Sequence, residues 1–214
     1  MNPRPARYPA SKRLLDKSVS IALLVLLSPV LAIVLVAMAA DIVFVARDRG
    51  GFLYRERRLS RGQEFDLLKF RTLQRSALST QADGEAHARL LEAAPENLTS
   101  AGRRVLKPWY LDELPQLLNV LKGDMSLVGP RPWPPSMVAK QVSDGLDYRN
   151  LITAGWTGPA QVRKDVTEPS GYTELDLAYV DACRTWGAAR LLCYDVEMLW
   201  QTVKLMARGE GLRF

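Results

Sequence analysis

Lys-Pro-Trp-Tyr-Leu-Asp-Glu-Leu-Pro-Gln-Leu-Leu-Asn-Val-Leu-Lys-Gly-Asp-Met-Ser-Leu-Val-Gly-Pro-Arg-Pro, residues 107–132, sets two adjacent carboxylates ahead of an apolar helical repeat and closes on a turn carrying one guanidinium. The acids are Asp112 and Glu113; the guanidinium is Arg131. Asp112 has the chemistry of a helix N-cap, because its carboxylate can accept from first-turn amides, and Pro115 removes a donor that the first turn leaves unused. Leu114, Leu117, Leu118 and Leu121 recur at i, i+3, i+4 and i+7, which predicts one apolar helical face ended by Gly123. Acids at a helix start also complement its dipole. Spacing alone therefore supports a capping pair and a catalytic dyad equally.

Toward the N-terminus the composition is different. The chain has 214 residues, 48% of them hydrophobic, enough for one domain or one domain with an appendage. From Ser18 to Ala40 it carries no charge, long enough to cross roughly 30 Å of hydrocarbon at about 1.5 Å per residue. A buried helix of a soluble fold is the weaker reading of so long an uncharged run, and a cleaved signal peptide is weaker still, since no small-residue cleavage pattern ends the run before Asp41. Arg4, Arg7, Lys12, Arg13 and Lys17 precede the run, and Arg47, Arg49, Arg55, Arg57, Arg58 and Arg61 follow it. Basic flanks belong on the cytoplasmic side, so a straight span puts one of them on the wrong side. Pro29 cannot donate to the Val25 carbonyl, and the Ser28 hydroxyl can satisfy the freed group. A helix broken at Ser28-Pro29 that enters and leaves by one face fits both flanks; an ordinary kinked span is the alternative.

Phe52-Leu53-Tyr54 and Phe65-Asp66-Leu67-Leu68-Lys69-Phe70 around the turn Ser60-Arg61-Gly62-Gln63 predict a hairpin, with Lys69 and Arg71 on one strand face. Residues 74–104 read as a polar, partly helical excursion broken at Gly84 and Pro95, and its lone His87 reads as a surface residue. Pro132-Trp133-Pro134-Pro135 marks a rigid loop before a helix from Ser136 to about Val142. Gly155-Trp156-Thr157-Gly158-Pro159-Ala160-Gln161 is a second turn-rich element, followed by a helical run at 174–180. From Ala188 to Met206 an amphipathic helix presents Leu191, Leu192, Asp195, Met198, Leu199, Thr202 and Met206, better suited to core packing than to a membrane surface, with Trp200 a weak anchor signal.

Cys183 and Cys193 lack a Cys-x-x-Cys spacing, which argues against zinc or redox chemistry and fits a reducing compartment. A net charge of +6 concentrates beside the apolar run, so a membrane surface explains it better than nucleic acid. No Gly-x-Gly-x-x-Gly, Walker or Gly-x-Ser-x-Gly pattern is present, and one histidine does not support a Ser-His-Asp hydrolase. Paired acids among cations are instead the inventory for carboxylate attack on a phosphoryl centre, with Mg²⁺ offsetting the repulsion between the anions. The competing reading is a non-catalytic membrane-surface protein that binds anionic lipids through its basic flanks and uses Asp112-Glu113 only as a cap.

Asp112-Glu113-Leu114-Pro115-Gln116, Asn119-Val120-Leu121-Lys122-Gly123-Asp124-Met125-Ser126 and Val128-Gly129-Pro130-Arg131-Pro132 closely resemble the bacterial sugar transferase family of monotopic polyprenyl-phosphate phosphoglycosyl transferases. The resemblance extends to Lys12-Arg13-Leu14-Leu15-Asp16, Ser28-Pro29, Lys69-Phe70-Arg71-Thr72, Thr157-Gly158 with Gln161-Val162, and Asp195 to Thr202. It implies a mostly helical α/β domain at 41–214 on the cytoplasmic face of the bacterial inner membrane, a re-entrant helix-break-helix at 18–40, and a basic segment at 1–17. It implies a two-step transfer. Asp112 attacks the β-phosphate of a UDP-sugar, releases UMP and holds sugar-1-phosphate; polyprenyl (undecaprenyl) phosphate then takes it, the first membrane step in making an exopolysaccharide, O-antigen, capsule or glycoprotein glycan. Glu113 is expected to hold Mg²⁺. Lys69, Arg71, Lys107, Arg131, Gln161 and Arg163 are the expected substrate contacts, inner-membrane lipids the surroundings, and a homodimer one possible assembly.

The chain departs from the family pattern in two places. Lys107 stands where an arginine is usual, keeping the charge and losing the bidentate fork, with Pro108-Trp109-Tyr110 in place of small polar residues. Arg163-Lys164-Asp165 stands where Asn-Gly-Arg is usual, so Arg163 is the available replacement for that arginine's nucleotide or sugar contact.

Overall fold

In the computed structural model, residues 8–79, 91–163 and 168–208 are described. Arg4, Arg7, Gly84, His87, Lys164 and Asp165 lie outside them. The described chain is mostly helical, with two small two-stranded sheets, and separates into two compact units. One comprises Met1–Leu23, Glu56–Leu67 and Leu117–Phe214; the other comprises Leu24–Arg55 and Leu68–Gln116.

Helix α1 (Ala10–Leu26) and helix α2 (Ser28–Phe44) meet at Leu27 with a bend of 61°. Ser28 Oγ donates to the Val25 carbonyl at 2.8 Å, the group that Pro29 leaves without an amide partner. The two helices bury different chemistry. On α1 the inward stripe is polar, Lys12, Asp16 and Ser20 at i, i+4 and i+8, while Leu14, Ile21, Val25 and Leu26 are exposed. On α2 only Val34 and Met38 are buried, and Ile33, Val36, Val43 and Phe44 lie open, Phe44 at 83%. An apolar helix this exposed needs an apolar surrounding. Among the described residues no single helix is long and apolar enough to cross a membrane; the bent pair passes that test together.

Strands β1 (Leu53–Ser60) and β2 (Gln63–Phe70) form the expected hairpin. Its two-residue turn has Arg61 at φ 51° and Gly62 at φ 73°, the left-handed pair that matches strand twist. Helix α3 (Arg75–Ser79) follows, and after the polar excursion helix α4 (Gln116–Lys122) leads into strand β3 (Ser126–Val128). Gly123 ends α4 at φ 94°, its amide returning to the Asn119 and Val120 carbonyls. The chain then runs through α5 (Pro135–Ser143) and α6 (Tyr148–Leu151) to strand β4 (Gly155–Thr157), which pairs parallel with β3, Ser126 against Gly155 and Val128 against Thr157. A Cβ on Gly155 would sit 2.1 Å from the Gly129 nitrogen, so the two strand ends touch only because both residues are glycine.

Helices α7 (Pro159–Val162), α8 (Pro169–Thr185) and α9 (Ala188–Ala207) complete the first unit around buried Leu127, Val128, Ile152, Tyr179, Val180, Leu191 and Met198. The inner face of α9 carries Leu205 rather than the expected Met206, whose side chain is exposed. The expected face of α4 also changes. The helix starts at Gln116 rather than at the acids, Leu118 is exposed, and Gln116, Leu117, Asn119 and Val120 are buried, because the helix packs on more than one side. Lys12, counted above among the basic flanks, is wholly buried, its ammonium 2.6 Å from the equally buried Asp195 carboxylate and donating to the Val128 carbonyl. Tyr179 donates to Asp195 as well, and Asp16 accepts from Ser126 Oγ and the Leu127 amide. An acid on an apolar face needs a buried cation, and α1 supplies it.

Candidate active site

Unit two holds the acid pair, and its geometry starts at the end of the hairpin. Beyond β2 the chain stays extended, with Leu73 bridging Leu98 and the Thr99 amide donating to the Thr72 carbonyl. A helical segment then begins with its early amides all engaged by side chains: Ser100 by Asp48, Ala101 by Asp41, and Gly102 by the Thr99 hydroxyl at 2.9 Å. Gly102–Leu106 winds as a π-helical turn, with the Lys107 amide reaching back to the Gly102 carbonyl. Such turns re-aim the residues beyond them. Gly102 has to be glycine, since a Cβ there would lie 2.6 Å from the Thr72 carbonyl oxygen. Tyr110 then adopts φ 54°, a strained left-handed conformation for a side-chain-bearing residue, and Leu111–Glu113 forms a short 3₁₀ turn.

The result is one ammonium shared by two acids. Lys107 Nζ lies 2.9 Å from Asp112 Oδ2 and 2.6 Å from Glu92 Oε2, and Glu92 accepts from the Thr72 hydroxyl at 2.6 Å. Asp112 is 2% exposed, and Glu113 is buried beside it. Burial holds the Asp112 carboxyl above its ordinary value despite the pull of Lys107, and the neighbouring Glu113 pushes the same way. Burial alone would lower the Lys107 ammonium, but Asp112 and Glu92 outweigh it and its pKa is raised. The capping reading of Asp112 gives way here, because its carboxylate engages Lys107 instead of a first-turn amide.

Lys69 lies half-buried near the end of β2. Arg71 is buried and donates to the carbonyls of Asp48, Gly51 and Leu73, so it ties the approach to the hairpin together. Arg131, Gln161 and Arg163 belong to the other unit. Gln161 is buried within α7, Arg163 is exposed just after that helix, and Arg131 is half-buried in the turn after β3. Glu92 was hidden to sequence reasoning because it sits in a polar segment with no motif, and only the fold brings it to Lys107. Asp195 had a signal, a lone acid on an otherwise apolar helical face.

Among the described residues no group of three or more His, Cys, Asp or Glu is placed to hold a metal, so a closed protein cage is absent from them. Two neighbouring carboxylates suit a hard cation of another kind, Mg²⁺, which takes one or two acids and completes its shell with substrate phosphates and water.

The described chain is thus a mostly helical α/β protein with a bent apolar helix pair near its N-terminus and a buried acid pair beside a shared ammonium. The chain belongs to the bacterial sugar transferase family, whose model matches residues 7–209. It is 33% identical over 212 residues to the undecaprenyl-phosphate galactose phosphotransferase of Salmonella typhimurium, covering 94% of this chain and 41% of the relative. It is also similar to the UDP-glucose:undecaprenyl-phosphate glucose-1-phosphate transferase of Caulobacter vibrioides, 32% identical with 92% and 67% covered. A third relative, the uncharacterized sugar transferase EpsL of Bacillus subtilis, is 33% identical with 94% and 90% covered. The chain spans about two-fifths of the length of the Salmonella relative.

Proposed function

We propose that this chain transfers sugar-1-phosphate from a UDP-sugar to undecaprenyl phosphate at the cytoplasmic face of the bacterial inner membrane, with α1 and α2 forming a re-entrant hairpin. The observation that carries the reading is Asp112: a buried carboxylate, not used as a cap, held by one ammonium and flanked by a second acid. An Asp112 oxygen attacks the β-phosphorus of the donor. The bond from that phosphorus to the bridging oxygen breaks, UMP leaves with the oxygen, and the sugar phosphate remains on Asp112 as an acyl phosphate. A phosphate oxygen of the acceptor then attacks the same phosphorus, Asp112 leaves as carboxylate, and the product is a polyprenyl diphosphate sugar. Lys107 orients the attacking carboxylate, and Glu92 fixes Lys107. Glu113 would hold Mg²⁺, which supplies charge neutralisation for the donor diphosphate when bound. Lys69 and Arg131 neutralise substrate phosphates.

Two further observations support the reading. The two-sided basic flanks and the Ser28-supported break favour entry and exit by one face, and the relatives' names include undecaprenyl-phosphate phosphotransferases. The test is UMP release from a panel of UDP-sugars with Mg²⁺ and undecaprenyl phosphate, together with mass spectrometry of the protein after donor alone. Wild type is expected to gain a sugar-phosphate mass, and Asp112→Asn to gain none and release no UMP. Asp112→Asn turning over at the wild-type rate refutes the covalent reading.

A further inference from the structure

The turn after β3 is fixed along its backbone from several sides. The Gly129 amide donates to the Thr157 carbonyl, the Gly155 amide to the Pro130 carbonyl, and the Leu59 amide to the Trp133 carbonyl. The Arg131 carbonyl accepts from a side chain instead: Arg149 on α6. That guanidinium is 7% exposed and committed at every nitrogen, Nη1 to the Arg131 carbonyl, Nε to Gln141 Oε1 at 3.1 Å and Nη2 to Asp176 Oδ2 at 2.9 Å. Its Cζ lies over the Trp133 ring, 4.0 Å from the ring centre. Tyr148 donates to the same Asp176 oxygen at 2.9 Å. One buried cation thus holds residue 131 by its carbonyl and residue 133 by its ring, and is itself anchored to α5 and α8. A planar fork can do this and an ammonium cannot.

We propose that Arg149, clamped by Asp176, is a positioning residue for Arg131, fixing the backbone so that the Arg131 guanidinium meets a phosphate oxyanion in one orientation. The proposal rests on the substrate reading above. The oxyanion has two sources, the donor diphosphate and the acceptor monophosphate, and binding distinguishes them without turnover.

The experiment measures the affinity of the full chain in nanodiscs for UDP and, separately, for undecaprenyl phosphate, with thermal unfolding as the folding control. Arg131→Gln is expected to weaken one of these ligands by about tenfold or more, loss of a charge-assisted phosphate contact. Arg149→Lys is expected to weaken the same ligand about fivefold or more alone, and by less than about twofold when Arg131 is already Gln, because the two act as one unit. Trp133→Leu removes the stacked ring and keeps the hydrogen bonds, and is expected to follow the same non-additive pattern with a smaller effect; it decides the matter if Arg149→Lys does not fold. Equal losses in both Arg131 backgrounds, or a folded Arg149→Lys chain with unchanged affinity for both ligands, overturn the positioning role. Arg131→Gln with unchanged affinity for both also overturns it. A wild-type chain that binds neither ligand overturns the substrate reading and the proposal together, whereas intact wild-type binding with additive variants overturns the proposal alone.

Discussion

Replacing Lys12 by Met removes the cation from a pair in which both side chains are 0% exposed and 2.6 Å apart. At an effective dielectric of about 20, that separation corresponds to roughly 6 kcal/mol of attraction, opposed by several kcal/mol of desolvation for each ion. The net worth of the pair is therefore small, while breaking it is costly, since Asp195 is left buried with the Tyr179 hydroxyl as its donor. The expected loss for Lys12→Met is about 3–5 kcal/mol, equivalent to a fall of about 6–20 °C in Tm for a chain of this size. Tyr179 has one hydroxyl proton for Asp195 and the Val128 carbonyl, so with Lys12 gone the two acceptors compete for it and the carbonyl's lost donor adds to the cost. Lys12→Met/Asp195→Leu, which removes both charges, is expected to recover to within about 1–2 kcal/mol of wild type.

The pH dependence of the loss has a definite sign. Burial, the largest influence, raises the folded Asp195 carboxyl above 3.8 even with Lys12 present, and Lys12 opposes that rise. Without Lys12 the folded carboxyl rises further, so the folded state binds a proton more tightly than the unfolded one. Stability of Lys12→Met then falls as pH increases from the ordinary carboxylate value toward the raised one, and levels off above it. Thermal unfolding in one detergent across that range reads both effects. A Lys12→Met loss below about 1 kcal/mol, or a double variant less stable than the single one, would refute the buried-pair reasoning.

Gly102→Ala is expected to press the π-helical turn away from Thr72, displacing Lys107 and lowering UMP release by about 10²-fold if the shift at Asp112 approaches 1 Å, while the chain stays folded; unchanged release would show that this close contact does not set the site. Arg71→Met strips the donor from three backbone carbonyls, at about 1–3 kcal/mol for each one left unsatisfied, and a shift of less than about 1 kcal/mol in chemical unfolding would contradict its tying role. In a Cys193→Ser background, Arg13→Cys and Arg57→Cys are both expected to label from the cytoplasmic side of intact cells' membranes, and labelling from opposite sides would rule out the re-entrant hairpin.

Periodicity and local chemistry, which act between residues close in the chain, were enough to read several elements from the sequence. The uncharged run from Ser18, the Ser28-Pro29 break with its hydroxyl on the Val25 carbonyl, the Arg61-Gly62 turn and the Gly123 helix stop are all of this kind. The family resemblance also lay in the sequence, concentrated in the block from Asp112 to Pro132, and the family match over residues 7–209 agrees with it.

Tertiary structure decided how the charges are spent, because an ion pair depends on distance in space and a sequence records only distance along the chain. Lys12 looked like a headgroup-facing flank and is a buried partner of Asp195, 183 residues away. Arg71 looked like a substrate contact and holds backbone carbonyls. Asp112 had equal claims to capping and chemistry in the sequence, and in the fold its carboxylate engages Lys107, which Glu92 also holds. The acid pair was written in the chain from the start; that the Asp112 carboxylate engages an ammonium follows from where a lysine five residues earlier and a glutamate twenty residues earlier come to rest.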